Sequence, residues 1–251
     1  MTLGILVLAR LNSTRLPSKM VMPIAGKPLI QLLSERLFAT EFSGPYILAT
    51  STMSSDTPLV TLGQNLGLQC FRGSEDDVID RIESAMEYFR LKFAVIIEGD
   101  ELFVDTKMIN TLIKTALKGN YNVITAKSGP IGSWITGVSR VAVSEINSSK
   151  GNVSTDGWAD LFSKIPHQTT LDYTPVLPVF DKKIRLTIDY PEDARLASTI
   201  YEMIGQNRDV HSIHKVLKLL ADNPGLIAIN SSLSDAYWKR LQAQQGKAYL
   251  S

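Results

Sequence analysis

An apolar run near the N-terminus, Ile5-Leu6-Val7-Leu8-Ala9, breaks off at Arg10 into a polar segment, and this junction constrains the fold more than any other part of the chain. The run is short, continuous and partly β-branched, which reads as a fully buried strand. Arg10, Arg15 and Lys19 follow, separated by the small polar side chains Asn12, Ser13, Thr14 and Ser18. A strand ending in such a loop points its cations at the carboxyl edge of a sheet, where open α/β folds bind ligands. Arg offers a fixed fork and Lys a mobile point charge, and both suit phosphate oxygens. On composition alone, a solvated loop with surface cations fits equally well.

The apolar spacing then alternates between two periods. Leu29 to Phe38 predicts a helix, Tyr46 to Ala49 a strand, Thr57 to Leu66 a helix and Leu68 to Phe71 a strand. Ser74 ahead of Glu75-Asp76-Asp77 predicts a capped helix running to about Phe89, with carboxylates at the positive end of its dipole. Phe93 to Ile97 predicts another buried strand, Met108 to Leu117 a helix and Tyr121 to Ala126 a strand. Strands separated by helices imply an α/β fold with a mostly parallel central sheet flanked by helices. The segment from Ser133 to Pro178, rich in Gly, Ser, Thr and Pro, is expected to be the least regular. A further strand is expected to run into Asp189, and Pro191 suits the first turn of the next helix, where its missing N–H costs nothing. The tail from Leu233 to Ser251 reads as a polar helix with Tyr237, Trp238 and Leu241 on one side, packing on the body or a partner subunit.

Composition removes several classes of function. A net charge of +1 with no long basic run argues against nucleic acid held by bulk electrostatics. One cysteine, Cys70, excludes an internal disulfide framework and, with three scattered histidines, a Cys-rich zinc site. His211 and His214 are three apart but lack a third ligand nearby. No apolar run approaches membrane-spanning length and the chain goes straight into a strand, so no membrane association and a cytoplasmic location are expected. A P-loop would need Gly at position 21, which is Val21, and Ser or Thr after Lys27, which is Pro28. No GxGxxG follows the first strand, so side chains must hold phosphate as much as backbone does.

Asp100 stands just beyond the end of the 93–97 strand, at the same sheet edge as the cationic loop. A carboxylate beside nucleotide phosphates makes a Mg²⁺ site, since this ion takes one or two carboxylates and keeps several waters. The alternative is a residue that only caps a turn.

Arg10-Leu11-Asn12-Ser13-Thr14-Arg15-Leu16-Pro17-Ser18-Lys19, with Gly26-Lys27-Pro28-Leu29 and Glu35-Arg36-Leu37, resembles the opening signature of the cytidylyltransferases that activate acidic sugars. The pattern is A-R-x-x-S-T-R-L-P-x-K, then G-K-P-L, then E-R. The branch it resembles is the spore coat polysaccharide biosynthesis protein F group, with the 3-deoxy-manno-octulosonate and acylneuraminate cytidylyltransferases as relatives. Ala49-Thr50-Ser51, Phe71-Arg72-Gly73-Ser74 through Arg81, Arg185 through Asp193, Asn223-Pro224-Gly225-Leu226 and Ile229-Asn230 continue the likeness over nearly the whole chain.

The resemblance implies one cytidylyltransferase domain over residues 1–251, of the nucleotide-diphospho-sugar transferase (glycosyltransferase A-type) fold, with an irregular acceptor and dimer region at about 129–180. It implies transfer of CMP from CTP to an acidic sugar with release of pyrophosphate, in polysaccharide or surface glycan biosynthesis, by a homodimer. Arg10, Arg15 and Lys19 would hold the triphosphate, and Asp100 and Asp189 would hold Mg²⁺. Ala9, Ser13, Ser51, Gly73 and Ser74 would join them around the nucleotide. Asp77 and Arg81 fit either the pocket rim or an i,i+4 ion pair. Leu102 stands where the family has Pro, and Trp134-Ile135-Thr136 and Ile165-Pro166-His167-Gln168 replace the usual acceptor residues. A nucleotide-sugar-dependent glycosyltransferase, which would be expected to carry Asp-x-Asp, and a catalytically silent nucleotide-binding homologue are the alternatives.

Overall fold

The computed structural model describes residues 1–127, 129–151, 155, 157–172, 181, 183–205 and 212–234. Its strands, in chain order, are β1 (Leu3–Leu8), β2 (Pro23–Ile24), β3 (Lys27–Pro28), β4 (Tyr46–Ser51), β5 (Gln69–Gly73), β6 (Phe93–Glu98), β7 (Val123–Ala126), β8 (Ile135–Ser139) and β9 (Gln168–Thr170). β2 and β3 form a small antiparallel pair, and the others form one sheet in the order β5-β4-β1-β6-β8-β7-β9. The β5-β4-β1-β6 half is parallel, whereas β8 runs antiparallel to both β6 and β7. Leu8 pairs with Ala49 on one side and Glu98 on the other, so the loops after β1, β4 and β6 open at one carboxyl edge.

The helices are α1 (Leu29–Phe38), α2 (Thr57–Asn65), α3 (Val78–Tyr88), α4 (Thr106–Lys118), α5 (Arg140–Ser149), α6 (Pro191–Ile204), α7 (Ile213–Asp222) and α8 (Pro224–Ile227). Successive strand residues point to opposite faces, and two cores result. Ile5, Val7, Val95 and Ile97 join one core with α1, α4, α6 and α7, while Leu6, Leu8, Ala94 and Ile96 join another with α3, α5 and Trp158. Because both faces of β1 and β6 are covered, their sequences are continuously apolar instead of alternating. Each fully buried aliphatic side chain there contributes roughly 1.5–3 kcal/mol. Leu102, the replacement for Pro, is fully buried in the larger core.

Three expectations are corrected. The helix after β5 begins at Val78, not at Ser74: Ser74 Oγ accepts from Asp77 N at 3.1 Å to close a turn, and Asp77 is the cap, accepting from Asp80 N at 3.0 Å. The region after residue 133 is more regular than expected, with β8, α5 and a 3-10 segment over Trp158–Lys164. Ser139 caps α5, accepting from Ala142 N at 3.1 Å, and Ala142 and Val143 face the core. Residues 186–189 form no strand; Arg185 makes an isolated bridge with Ile131, and Leu186 N donates to Ile131 O at 2.7 Å. That approach requires Gly132, whose φ is +86° and where a Cβ would lie 2.1 Å from Thr187 N. Asp189 also stands one residue ahead of the N-cap of α6, which is Tyr190.

Among the described residues no helix is long and apolar enough to cross a membrane. His211 and residues 235–251 of the expected tail helix lie outside the described residues.

Candidate active site

A cavity of about 470 Å³ opens at the carboxyl edge of β1 and β6, and Ala9, Arg10, Ser13, Arg15, Lys19, Asp100 and Asp189 all line it. Four of these side chains interlock. Lys19 Nζ donates to Asp100 Oδ2 at 2.6 Å and to Asp189 Oδ1 at 3.1 Å, and Arg15 Nη2 reaches Asp189 Oδ1 at 2.5 Å. Arg185, fully buried, closes the cluster from behind, donating to Asp189 Oδ2 at 2.9 Å and Asp193 Oδ1 at 3.1 Å.

Asp193 explains how a segment without a strand is held in place. Its Oδ2 accepts from the backbone N–H groups of Asp189 and Tyr190, each at 3.0 Å, and its Oδ1 accepts from Asn230 Nδ2 at 2.7 Å. Asn230 also donates to Arg185 O at 3.0 Å, so the segment after α8 fixes the turn that presents Asp189.

The two facing carboxylates differ electrostatically. Burial pushes the Asp189 carboxyl up, but Lys19, Arg15 and Arg185 outweigh it and hold the group well below the ordinary carboxylate range. Asp100 is raised, because burial and the neighbouring Asp189 prevail over Lys19. Glu98, at the end of β6, is pushed up to about 7 by burial and then by Asp100, although Trp158 Nε1 donates to its Oε1. Burial, Glu98 and Asp100 likewise raise Glu101 well above its usual value. Burial alone would lower Lys19, yet Asp100 and Asp189 hold it above its ordinary value.

This donor set fits a divalent cation. Asp100 and Asp189 place hard oxygens around one point, where both already share the Lys19 ammonium. Among the described residues no group of three or more His, Cys, Asp or Glu side chains forms a metal cage. Mg²⁺ does not need one, since phosphates and water complete its shell.

Residues 4–216 match the family model described as cytidylyltransferase. The chain belongs to that family. It is 27% identical over 228 residues to the spore coat polysaccharide biosynthesis protein SpsF of Bacillus subtilis, covering 87% of this chain and 94% of that one. In fold it is similar to a cytidylyltransferase from Leptospira borgpetersenii, with a TM-score of 0.80 at 22% identity over 90% of this chain and 97% of the other. It is also similar to a CMP:2-keto-3-deoxy-manno-octonic acid synthetase solved with CTP, with a TM-score of 0.65 at 17% identity over 82% of this chain and all of the other. The architecture is that of nucleotidyltransferases with the nucleotide-diphospho-sugar transferase fold.

Within this cytidylyltransferase, part of the signature serves the fold instead of lining the cavity. Ser51, Gly73 and Ser74 are not among its lining residues. Ser51 is buried, with its Oγ donating to Asp56 Oδ2 at 2.5 Å, and Thr50 Oγ1 donates to the same oxygen at 2.9 Å. Asp56 Oδ1 accepts from Leu11 N at 2.7 Å, so this carboxylate ties the cationic loop to the end of β4. Lys27 pairs with Glu35 at 2.9 Å, and buried Arg36 donates to Val104 O at 3.0 Å. Asp77 pairs with Lys150 at 2.8 Å, not with Arg81, whose side chain turns to the carbonyls of Ser74 and Glu75. His167 is exposed, away from the cavity, whereas Trp134, Thr136 and Trp158 line it beside Glu98 and Glu101. Lone tryptophans in a Gly- and Ser-rich stretch were the available signal for that wall, because burying one there needs a built surface.

Proposed function

We propose that this cytidylyltransferase transfers CMP from CTP to a hydroxyl of an acidic sugar, releasing pyrophosphate, for polysaccharide or surface glycan synthesis. The observation that carries the reading is the junction of Lys19 with Asp100 and Asp189, beside Arg15, at the carboxyl edge of the sheet. A triphosphate entering this edge meets Arg15 and Lys19 as charge-assisted donors, with Ala9, Arg10 and Ser13 beside them. The acceptor hydroxyl loses its proton to water and its oxygen forms a bond to the α-phosphate as the bond to pyrophosphate breaks. Charge builds on the phosphate oxygens, where fixed cations stabilise it most. Asp100 and Asp189 would hold Mg²⁺, which when bound supplies further positive charge to those oxygens. No nucleophilic side chain is needed. A homodimer in the cytoplasm completes the proposal.

The test is pyrophosphate release from CTP and Mg²⁺ over a panel of acidic sugars, with CTP, ATP and GTP binding measured beside it. Release should depend on the acceptor, and CTP should bind at least about tenfold tighter than purine nucleotides, about 1.4 kcal/mol. Equal binding of CTP and ATP would remove the base assignment. CTP binding with no release under any acceptor would point to a silent homologue, and sugar transfer from an added CMP-sugar, with no pyrophosphate released from CTP, to a glycosyltransferase.

A further inference from the structure

The cations of the cavity fall into two groups. Arg15 and Lys19 are already paired with Asp189 and Asp100, and Lys127 with Asp160. Arg10 and Arg81 also line the cavity, and neither is ion-paired with a carboxylate among the described residues. They converge on one backbone oxygen: Arg10 Nη1 donates to Glu75 O at 3.0 Å and Arg81 Nη1 to the same oxygen at 3.2 Å. The Glu75 carboxylate is turned away, accepting from Asn12 Nδ2 at 3.1 Å.

Arg81 is the more constrained of the two. It is 3% exposed, and its hydrogen bonds, to Ser74 O at 2.6 Å and to Glu75 O, both leave from Nη1. Its buried Nε finds no partner among the described residues. Burial and then the neighbouring Arg10 pull the group below its ordinary value, the reverse of what its paired neighbours Arg15 and Lys19 show. Glu98, Asp56 and Asp77 attract the guanidinium, but among the described residues none forms an ion pair with it, and a buried charge held only by two backbone carbonyls is costly.

We infer that Arg10 and Arg81 form an oxyanion-binding subsite, separate from the Arg15–Lys19 pair, which receives an anionic group of a substrate. Two sources have the required chemistry, the terminal phosphates of the nucleotide and the carboxylate of the acidic sugar. The inference rests on the nucleotidyltransferase reading for its substrates but not on the choice of base.

Arg81→Gln and Arg81→Lys, with Arg10→Gln beside them, test it by calorimetry against CTP, CMP and inorganic pyrophosphate, and by acceptor KM with 3-deoxy-manno-octulosonate and N-acetylneuraminate. If phosphates occupy the subsite, Arg81→Gln should weaken CTP and pyrophosphate by about tenfold to a hundredfold, the size of a charge-assisted contact, and CMP by much less. If the sugar carboxylate occupies it, CTP and pyrophosphate binding should hold while acceptor KM rises by a similar factor. Arg81→Lys, keeping the charge, should recover part of either effect. Equal loss of CTP and CMP together with a lowered Tm, or no change in any ligand or in acceptor KM, would overturn the subsite. Pyrophosphate binding that depends on Arg81 would survive a finding that CTP is not preferred over ATP, so the two failures are separable.

Discussion

Lys19 Nζ stands 2.6 Å from Asp100 Oδ2 across 81 residues of sequence, joining the loop after β1 to the end of β6. The ammonium is about nine-tenths buried and shares itself with Asp189, so it neutralises the cavity floor before any ligand arrives. Lys19→Met keeps the length of the side chain and removes the charge. The variant should lose about 3–5 kcal/mol in denaturant unfolding, the cost of stranding buried carboxylates. Mg²⁺ should restore part of that loss, because a divalent cation can replace the missing charge between the two Asp groups. Wild-type stability in this variant would mean that the carboxylates do not depend on Lys19.

Asp100 and Asp189 should respond differently to loss of charge. If the two carboxylates only repelled each other, either Asn substitution would leave stability unchanged or slightly raised. The structure overturns this for Asp189, which is paired with Arg15, Lys19 and Arg185. Asp189→Asn should destabilise by about 3–5 kcal/mol. Asp100→Asn should cost little, since the fold already disfavours the ionised form of Asp100. Both should lower pyrophosphate release by orders of magnitude, and the double variant should be little worse than either, as groups acting as a unit are not additive. Turnover near wild type in either would remove that residue from the mechanism.

Local pattern made the junction of β1 with its cationic loop legible, together with the α/β alternation and Asp100, because each is written in a few consecutive residues, whereas Asp189 was implied by the family resemblance and the strand expected ahead of it is absent. What stayed hidden depends on pairing across long separations. Asp77 sits inside a motif segment but faces Lys150, and nothing near it in sequence announces that partner. The roles of Asp193 and Asn230 become visible only when the segment after α8 returns to meet α6. Helix α5 was masked by its Ser-rich composition, although Ser139 and the apolar Ala142-Val143 pair carried a start signal.

Asp56 gives the means to separate fold from ligand contact. Burial raises its carboxyl, but hydrogen bonds from Ser51, Leu11 and Thr50 outweigh this and lower it. Ser51→Ala removes one of those donors without reaching the cavity. It should cost about 1–2 kcal/mol of stability, with CTP affinity within about twofold of wild type. A tenfold or greater loss of CTP binding at unchanged stability would return Ser51 to the nucleotide rim.

Glu98 should impose a pH dependence of definite sign. Its carboxyl titrates near 7 in the folded chain against an ordinary value of 4.5, because it is buried beside Asp100. Below pH 4.5 both folded and unfolded chains hold the proton, and above 7 neither does. Between these values the folded chain keeps a proton that the unfolded one has released, so the stability linked to Glu98 is full below 4.5 and lost as pH rises through 7. Glu98→Gln resembles the protonated form and keeps an oxygen for Trp158 Nε1, so it should not share this decline. Measured without nucleotide or divalent cation, the stability of the Gln variant relative to wild type should climb by on the order of 1–3 kcal/mol between pH 4.5 and 7 and then level off. A difference constant across that window, or one that widens on acidification instead, would show that Glu98 ionises at its ordinary value and that the floor of the cavity carries its full negative charge at neutral pH.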